Sequence, residues 1–149
     1  MKYQIDKVSK KEYTEVVAVW EASVRATHYF LSEEDIQYFK PLILNTYLDA
    51  VELSCIRDCE NKIIGFLGVA DQRLEMLFIH PDCRGQRIGK TLLIYAIDTL
   101  NVTKVDVNEQ NKQAVGFYTY FGFETIGRSE LDATGKPYPI VHMTFAKKA

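Results

Sequence analysis

The segment that decides the fold spans residues 77–91 and reads Leu-Phe-Ile-His-Pro-Asp-Cys-Arg-Gly-Gln-Arg-Ile-Gly-Lys-Thr. It leaves an apolar strand, crosses a polar loop that contains glycine, and enters an amphipathic helix that runs to about residue 100. Glycine lets a loop turn sharply and bring its N–H groups close to a ligand. The helix start adds unpaired N–H groups and partial positive charge, and Arg84, Arg87 and Lys90 add full charge. The segment therefore predicts a pocket for a phosphate or pyrophosphate.

The residues of this loop admit two other interpretations. A nucleotide-hydrolase P-loop places four residues between its first glycine and its Gly-Lys-Thr, whereas only three separate Gly85 from Gly89. P-loop enzymes also use a parallel sheet, while the strands before this loop are predicted to be antiparallel. The other interpretation, a plain helix start with solvated basic residues, stays open on the loop alone.

The rest of the chain predicts strands and helices around this segment. Strands are expected at residues 2–8, 51–57, 63–70, 73–79, 103–107, 123–129 and 139–146. A first helix follows Ser9 and Glu12, which have the spacing of a capping box, and a second begins at Ser32 and is kinked or interrupted by Pro41. A further helix runs from Asn111 to Tyr120.

The order of these elements predicts a mixed, mostly antiparallel sheet of about six to seven strands. Short loops join the strands between residues 51 and 79, which makes an antiparallel meander the simplest arrangement. The strand-helix-strand unit that follows adds a parallel pair, with helices on both faces of the sheet. The fold class is therefore α/β, of the α+β kind.

Length and composition restrict the function. The chain has 149 residues, which suits a single domain over residues 1–149, and its net charge of −2 argues against a nucleic-acid partner. Three cysteines form neither a disulfide framework nor a zinc site, so no metal is expected. The start of the chain does not look like a signal peptide, and no apolar run approaches the ~20 residues of a membrane span. We therefore expect a cytoplasmic protein without a membrane partner.

Two motifs resemble a known family, the GNAT N-acetyltransferases. Residues 77–81 and 84–89 (Arg-Gly-Gln-Arg-Ile-Gly) resemble its acetyl-CoA signature, and residues 108–118 followed by 120–123 resemble its Asn…Ala…Phe-Tyr…Gly-Phe segment. Residues 26–31 and 135–139 resemble parts of a subgroup of small, stand-alone bacterial acetyltransferases. The one departure is Arg87, where the family usually has glycine, and its guanidinium could add a phosphate contact.

The resemblance implies where acetyl-CoA would bind. In the family the strands ending near Ile79 and Asn108 splay apart, the pantetheine arm enters this wedge, and the pyrophosphate rests on the loop that follows. The residues expected to bind the cofactor are Leu77, Phe78, Ile79, Arg84, Gly85, Gln86, Arg87, Ile88, Gly89, Lys90, Asn108, Asn111 and Tyr118.

The resemblance also implies acetyl transfer to the amine of a small molecule or peptide. The family places a tyrosine at Tyr118, whose phenol could protonate the leaving thiolate. Asp106 is the preferred candidate for the base that deprotonates the amine, because Asp106 shares a strand face with Asn108. Glu75 is the alternative candidate.

The acceptor itself is not identified by the sequence. The segment that contains His28 and Phe30 is expected to border the acceptor site. The family often dimerises, which makes a homodimer an expectation. The alternative function is a non-catalytic domain that binds or senses acyl-CoA.

Overall fold

A seven-stranded sheet lies at the centre of the computed structural model, which describes residues 3–146. The strands are β1 (Asp6–Lys7), β2 (Glu52–Arg57), β3 (Ile63–Ala70), β4 (Arg73–Ile79), β5 (Lys104–Asn108), β6 (Phe123–Ser129) and β7 (Ile140–Phe145). Their order across the sheet is β1-β2-β3-β4-β5-β7-β6. Only the pair β4–β5 is parallel among these strands. The predicted mixed, mostly antiparallel sheet is confirmed.

Four α-helices cover the two faces of this sheet. They are α1 (Tyr13–Thr27), α2 (Glu33–Leu42), α3 (Ile88–Asp98) and α4 (Lys112–Tyr120). One apolar cluster joins α1 and α2 to β2, β3 and β4, and includes Trp20 and Phe66. The other joins α3 and α4 to the opposite face, and includes Leu92 and Phe123. Since β3 lies between both clusters, its side chains are buried almost throughout.

The N-terminal elements are shorter than predicted. The strand expected over residues 2–8 comprises only β1, which pairs with Ser54 and Cys55, and Lys2 lies outside the described residues. A 3₁₀ turn, Lys10–Glu12, precedes α1. The Glu12 carboxylate accepts hydrogen bonds from the Ser9 N–H and from the Arg57 guanidinium, at 3.0 and 2.6 Å. This long-range ion pair draws the segment out of a strand and into a turn.

Helix α2 begins as predicted but does not stop at Pro41. The Ser32 hydroxyl accepts from the Asp35 N–H at 3.1 Å and caps the helix. The helix continues to Leu42 and widens into a π-helical segment, Ile43–Tyr47. Proline has no N–H to donate and disturbs the regular hydrogen-bond pattern, and the change to wider turns follows within two residues. The chain thereby carries Ile43 into the core.

Strands β4 and β5 separate soon after they pair. Their paired residues are Arg73 with Lys104 and Leu74 with Val105. At the same level, β3 pairs Gly68 with Met76 and Val69 with Leu74, so Glu75 is an extra, bulged residue. A bulge bends its strand and redirects a side chain. The result is a wedge between the C-terminal ends of β4 and β5.

Within residues 3–146, none of the helices combines the length and the apolar character needed to cross a membrane. Residues 1, 2 and 147–149 lie outside this description. The single domain over residues 1–149 therefore stays a prediction.

Candidate active site

The wedge between β4 and β5 opens into a cleft of about 450 Å³. All the residues expected from the sequence to bind the cofactor line this cleft, with the exception of Gln86. The Gln86 side-chain oxygen instead accepts a hydrogen bond from the Tyr3 hydroxyl at 3.3 Å. Asp106, Glu75 and His28 also line the cleft. The fold therefore brings together motifs that lie far apart in the sequence.

Two left-handed residues shape the loop between β4 and α3. Gly85 has φ +79° and Arg87 has φ +65°, and α3 begins immediately after Arg87. In the left-handed region a side chain crowds the backbone, and glycine is the residue that avoids this cost. The conformation gives a physical reason for glycine at the position of Arg87. Here the chain adopts the same conformation with an arginine.

The start of α3 is held against the sheet by a close approach to β3. A Cβ atom on Gly65 would lie 2.8 Å from the Ile88 side chain and 3.0 Å from that of Ile79. Ile88 is fully buried there. Gly65 therefore positions the first turn of the helix, a role that was missed from the sequence. The available signal was an isolated glycine within an apolar strand.

Charge is distributed unevenly along the cleft. Arg84, Arg87 and Lys90 are exposed at the end formed by the loop and α3. The carboxylates of Glu75 and Asp106 lie on the two diverging strands further in. A ligand with an anionic end at the loop, and with a cationic group beside its other end, would match this distribution of charge.

Tyr118 lies on the α4 side of the cleft and is 7% exposed. Its ring packs edge-on against Phe117 and Phe123, with centroids 5.3 and 5.7 Å away. Burial raises the pKa of the Tyr118 phenol well above its ordinary value. The hydroxyl therefore keeps its proton at neutral pH and is available as a donor.

The two candidate bases differ in what they contact. Asp106 Oδ1 lies 3.0 Å from Arg73 Nη1 and 2.7 Å from His142 Nδ1. Glu75 has a looser contact, 3.5 Å, with Arg73 Nε. Burial raises the pKa of Glu75, and the nearby charge of Asp106 adds to that effect while Arg73 opposes it. A carboxylate with a raised pKa holds a proton more readily.

A second cavity of about 210 Å³ meets the cleft at the bulge of β4. Glu75, Met76, Phe78, His28 and Asn108 are common to both cavities. The further lining of the second cavity is mainly apolar and aromatic, and consists of Trp20, Val24, Leu31, Phe39, Ile43, Tyr47, Asp132 and Tyr138. The bulged Glu75 thus borders both cavities.

His28 lies at the junction of the two cavities. The Thr27 hydroxyl donates its hydrogen to the Ser23 carbonyl at 2.9 Å, so at 2.7 Å it accepts from His28 Nδ1. Burial, together with the charge of Arg84, lowers the pKa of His28 to about 4. The imidazole is therefore neutral near pH 7. Phe30 lines neither cavity, and its ring packs on His28 with centroids 5.1 Å apart.

The loop between β6 and β7 closes the second cavity through contacts with α2. Asp35 binds the Lys136 ammonium at 2.9 Å and accepts a hydrogen bond from the Tyr138 hydroxyl. These two donors hold the pKa of the Asp35 carboxyl below its usual range. The Lys136 ammonium also lies 4.4 Å from the centroid of the Tyr38 ring. The sequence did not reveal this clasp, because its members are about a hundred residues apart.

The described residues contain no cluster of three or more His, Cys, Asp or Glu side chains that could hold a metal ion. The donors present at the cleft are backbone N–H groups, cations and hydroxyls, which suit an organic anion.

Comparison with known proteins gives a consistent family. A family model described as the acetyltransferase (GNAT) domain matches residues 25–145. Peptidyl-lysine N-acetyltransferase YjaB from Salmonella typhimurium is 37% identical over 145 residues, which are 97% of this chain and 99% of that protein. The protein of the same name from Escherichia coli is 39% identical over 135 residues, or 91% of each chain.

Solved structures share the fold. The solution structure of apo-form YjaB from Escherichia coli has a TM-score of 0.89 at 37% identity, covering 99% of this chain and 100% of that one. The PaiA N-acetyltransferase from Thermoplasma acidophilum, solved in complex with coenzyme A, has a TM-score of 0.69 at 21% identity, with 97% and 100% coverage. The second likeness concerns the fold alone.

The left-handed conformation of Arg87 predicts that Arg87→Gly stabilises the fold. A non-glycine residue in this conformation destabilises the fold by about 1–2 kcal/mol. Glycine removes this cost but makes the unfolded chain more flexible, which offsets about 0.5–1 kcal/mol of the gain. We expect the free energy of unfolding, measured in urea without ligand, to rise by up to about 1 kcal/mol. The adjacent Gln86→Gly is the control and should destabilise. Equal destabilisation by both variants would contradict the account.

Proposed function

The chain belongs to the GNAT acetyltransferase family, and we propose that its cleft holds acetyl-CoA with the reacting acetyl group between Tyr118 and Glu75. As the motifs predicted, the protein is an acetyl-CoA-dependent N-acetyltransferase, and the relatives that share its length are bacterial. It transfers the acetyl group to a primary amine. This activity is favoured over the alternative of a non-catalytic acyl-CoA-binding domain.

The observation that carries the placement is the early separation of β4 and β5. Beyond Leu74 and Val105, the facing edges of these strands border the cleft instead of each other. Backbone N–H and C=O groups along β4 could therefore pair with the amides of the pantetheine arm, as another strand would. This arm would lie beside Leu77, Phe78 and Ile79 and present the thioester near the bulge.

The loop and the start of α3 would hold the pyrophosphate. Gly85 and Gly89 leave the backbone accessible, and the first N–H groups of α3 are unpaired within the helix. Arg84, Arg87 and Lys90 supply charge around them. Asn108 and Asn111 line the opposite side of the cleft.

We propose that Glu75 is the general base and Tyr118 the general acid. A lysine-like amine has a pKa near 10.4, so it enters as an ammonium that must lose a proton before it attacks. Glu75 borders both cavities, and its raised pKa favours proton uptake. Asp106, the base preferred from the sequence, stays a prediction, although the contacts of its Oδ1 with two donors support it less.

The protons and bonds of the reaction balance with these two residues. The ammonium loses one proton to Glu75, and the nitrogen then forms its bond to the acetyl carbon as the carbon–sulfur bond breaks. Tyr118 gives its proton to the leaving thiolate, and the second nitrogen proton replaces it. The proton on Glu75 passes to solvent. Burial raises the pKa of the phenol, so Tyr118 keeps its proton until the thiolate forms beside it.

We propose that the acceptor is a lysine side chain of a peptide or protein. Two relatives that match almost the whole chain carry the name peptidyl-lysine N-acetyltransferase. The second cavity adds a physical reason, because its aromatic and apolar walls suit the methylenes of lysine. The carboxylates of Glu75 and Asp132 suit its ammonium. His28 lines this cavity directly, and Phe30 supports it from behind.

The cytoplasmic location and the homodimer expected from the sequence stay predictions.

Acceptor choice can be tested with matched peptides. A peptide with a blocked N-terminus and one lysine, incubated with acetyl-CoA, should gain one acetyl group on its ε-amine, as read by mass spectrometry. The same peptide with arginine in place of lysine and a free N-terminus should gain none. Acetylation of the α-amine, or of a free polyamine in place of the lysine peptide, would contradict the proposed acceptor.

The proposed phosphate site predicts that two substitutions of Gly89 differ in their effect on acetyl-CoA affinity. A Cβ atom there would lie 3.7 Å from the Phe117 ring, an ordinary contact, so Gly89→Ala should bind acetyl-CoA with affinity within about threefold of wild type. Gly89→Asp places a carboxylate among the phosphate oxygens and should weaken binding at least tenfold, about 1.4 kcal/mol, by calorimetry. An acid near a helix start does not threaten the fold. Unchanged affinity in Gly89→Asp would rule out this placement.

Tyr118→Phe tests the general acid. The ring remains to pack, so acetyl-CoA affinity and the melting temperature should stay close to those of wild type. The single-turnover rate with a competent peptide should fall by about 10²–10⁴, the usual contribution of a positioned acid. Tyr120→Phe, on the same helix and 83% exposed, is the control and should be unaffected. A wild-type rate in Tyr118→Phe would show that another group supplies the proton.

A further inference from the structure

A continuous chain of polar contacts crosses four strands on one face of the sheet. The Ser129 hydroxyl on β6 lies 2.7 Å from His142 Nε2 on β7, and His142 Nδ1 lies 2.7 Å from Asp106 Oδ1 on β5. The same oxygen lies 3.0 Å from Arg73 Nη1 on β4. Arg73 Nε is in turn 3.5 Å from the carboxylate of Glu75. The chain therefore ends on the proposed general base.

The direction of these hydrogen bonds follows from the groups themselves. A carboxylate has no hydrogen to donate, so His142 Nδ1 is protonated and donates to Asp106. His142 Nε2 shares a second hydrogen bond with the Ser129 hydroxyl. Asp106 Oδ1 thus receives two donors from opposite sides, one from β7 and one from β4. These two contacts fix the Asp106 carboxylate in an orientation that points toward Arg73.

We propose that Asp106 is a positioning residue that shares Arg73 with Glu75 and so prevents the guanidinium from pairing fully with the general base. The proposal rests on the role of Glu75 in the proposed function. Its support is the difference between the two contacts of Arg73, 3.0 Å to Asp106 and 3.5 Å to Glu75. Arginine and carboxylate groups within reach of each other frequently form closer, bidentate ion pairs.

The consequence concerns the proton affinity of the base. A full ion pair with Arg73 would stabilise the Glu75 carboxylate and make it a weaker base. The negative charge of Asp106 also raises the pKa of Glu75 directly, so it adds to the effect of the Asp106–Arg73 contact. The charges of Arg73, Asp106 and Asp71 act on Glu75. The other titratable groups that line the second cavity with it are His28, Tyr47, Asp132 and Tyr138.

The test is the pH dependence of kcat/KM with the lysine peptide. The acid limb of this profile reports the protonation of the base in the free enzyme. In Asp106→Asn, Arg73 closes on Glu75, so the acid limb should move to lower pH by about 0.5–1 unit, while the plateau falls less than about tenfold. In Arg73→Gln the cation is removed, so the limb should move in the opposite direction, to higher pH.

Asp71→Asn is a control for the loss of a negative charge near Glu75. Asp71 lies in the turn between β3 and β4 and raises the pKa of Glu75 through its charge, and the described contacts of Arg73 are with Glu75 and Asp106. Asparagine tolerates the left-handed conformation of this residue, which has φ +51°. Its shift should be clearly smaller than that of Asp106→Asn. Equal shifts in the two variants would overturn the proposal, because charge alone would then explain both.

Glu75→Gln separates the proposal from the function beneath it. If Glu75 is the base, this variant should lose about 10²–10⁴ of the plateau rate. If Glu75→Gln shows this loss but the acid limb does not move in Asp106→Asn or Arg73→Gln, Glu75 remains the base. The proposal that Asp106 and Glu75 share Arg73 is then overturned. A loss of that size in Asp106→Asn, with Glu75→Gln nearly active, would instead make Asp106 the base and overturn both.

Discussion

The candidate site depends on backbone pairing between two strands that ends after a short distance. Strands β4 and β5 are the parallel pair of this sheet, yet their pairing ends after two residues on each strand. The bulge at Glu75 lies at the point of separation. Polar backbone groups that a continuous sheet would have paired therefore line a cleft, where they need hydrogen-bond partners other than a neighbouring strand. A ligand that supplies amides in an extended arm answers this need, and the proposed binding mode follows from it.

The elements around the wedge serve its two ends. At one end the close approach of Ile88 to Gly65 places the start of α3, and the left-handed Gly85 and Arg87 turn the loop toward the cleft. At the other end the clasp between Asp35 and the β6–β7 loop closes the second cavity. Positive charge is thus concentrated where phosphates would lie, and carboxylates stand where an ammonium would enter. The bulged residue borders both regions.

Features governed by neighbours in the sequence could be predicted. The meander, the Ser32 cap and helix α4 depend on local periodicity, turn residues and capping groups, and they lie close to where they were expected. The motif residues of the cleft followed from the family resemblance. Arg87 in a left-handed conformation agrees with the glycine that the family usually has there.

Features set by distant partners could not be predicted. The Arg57–Glu12 ion pair shortens the first strand, and packing of Ile43 accompanies the widened turns after Pro41. The bulge at Glu75 is a matter of register between two strands, which periodicity in one strand does not reveal. The contacts of Asp106 with Arg73 and His142 likewise join three strands. These long-range contacts are the basis for proposing Glu75 and not Asp106 as the base.

The central claim is that acetyl-CoA completes the β4 edge of the wedge. Amide NMR spectra and hydrogen exchange, recorded with and without acetyl-CoA, test it most directly. The account predicts shifted resonances and slowed exchange for amides of residues 75–79 on β4 that face the cleft, together with shifts in residues 85–90. Changes confined to the loop, with β4 exchanging as in the free protein, would contradict the claim.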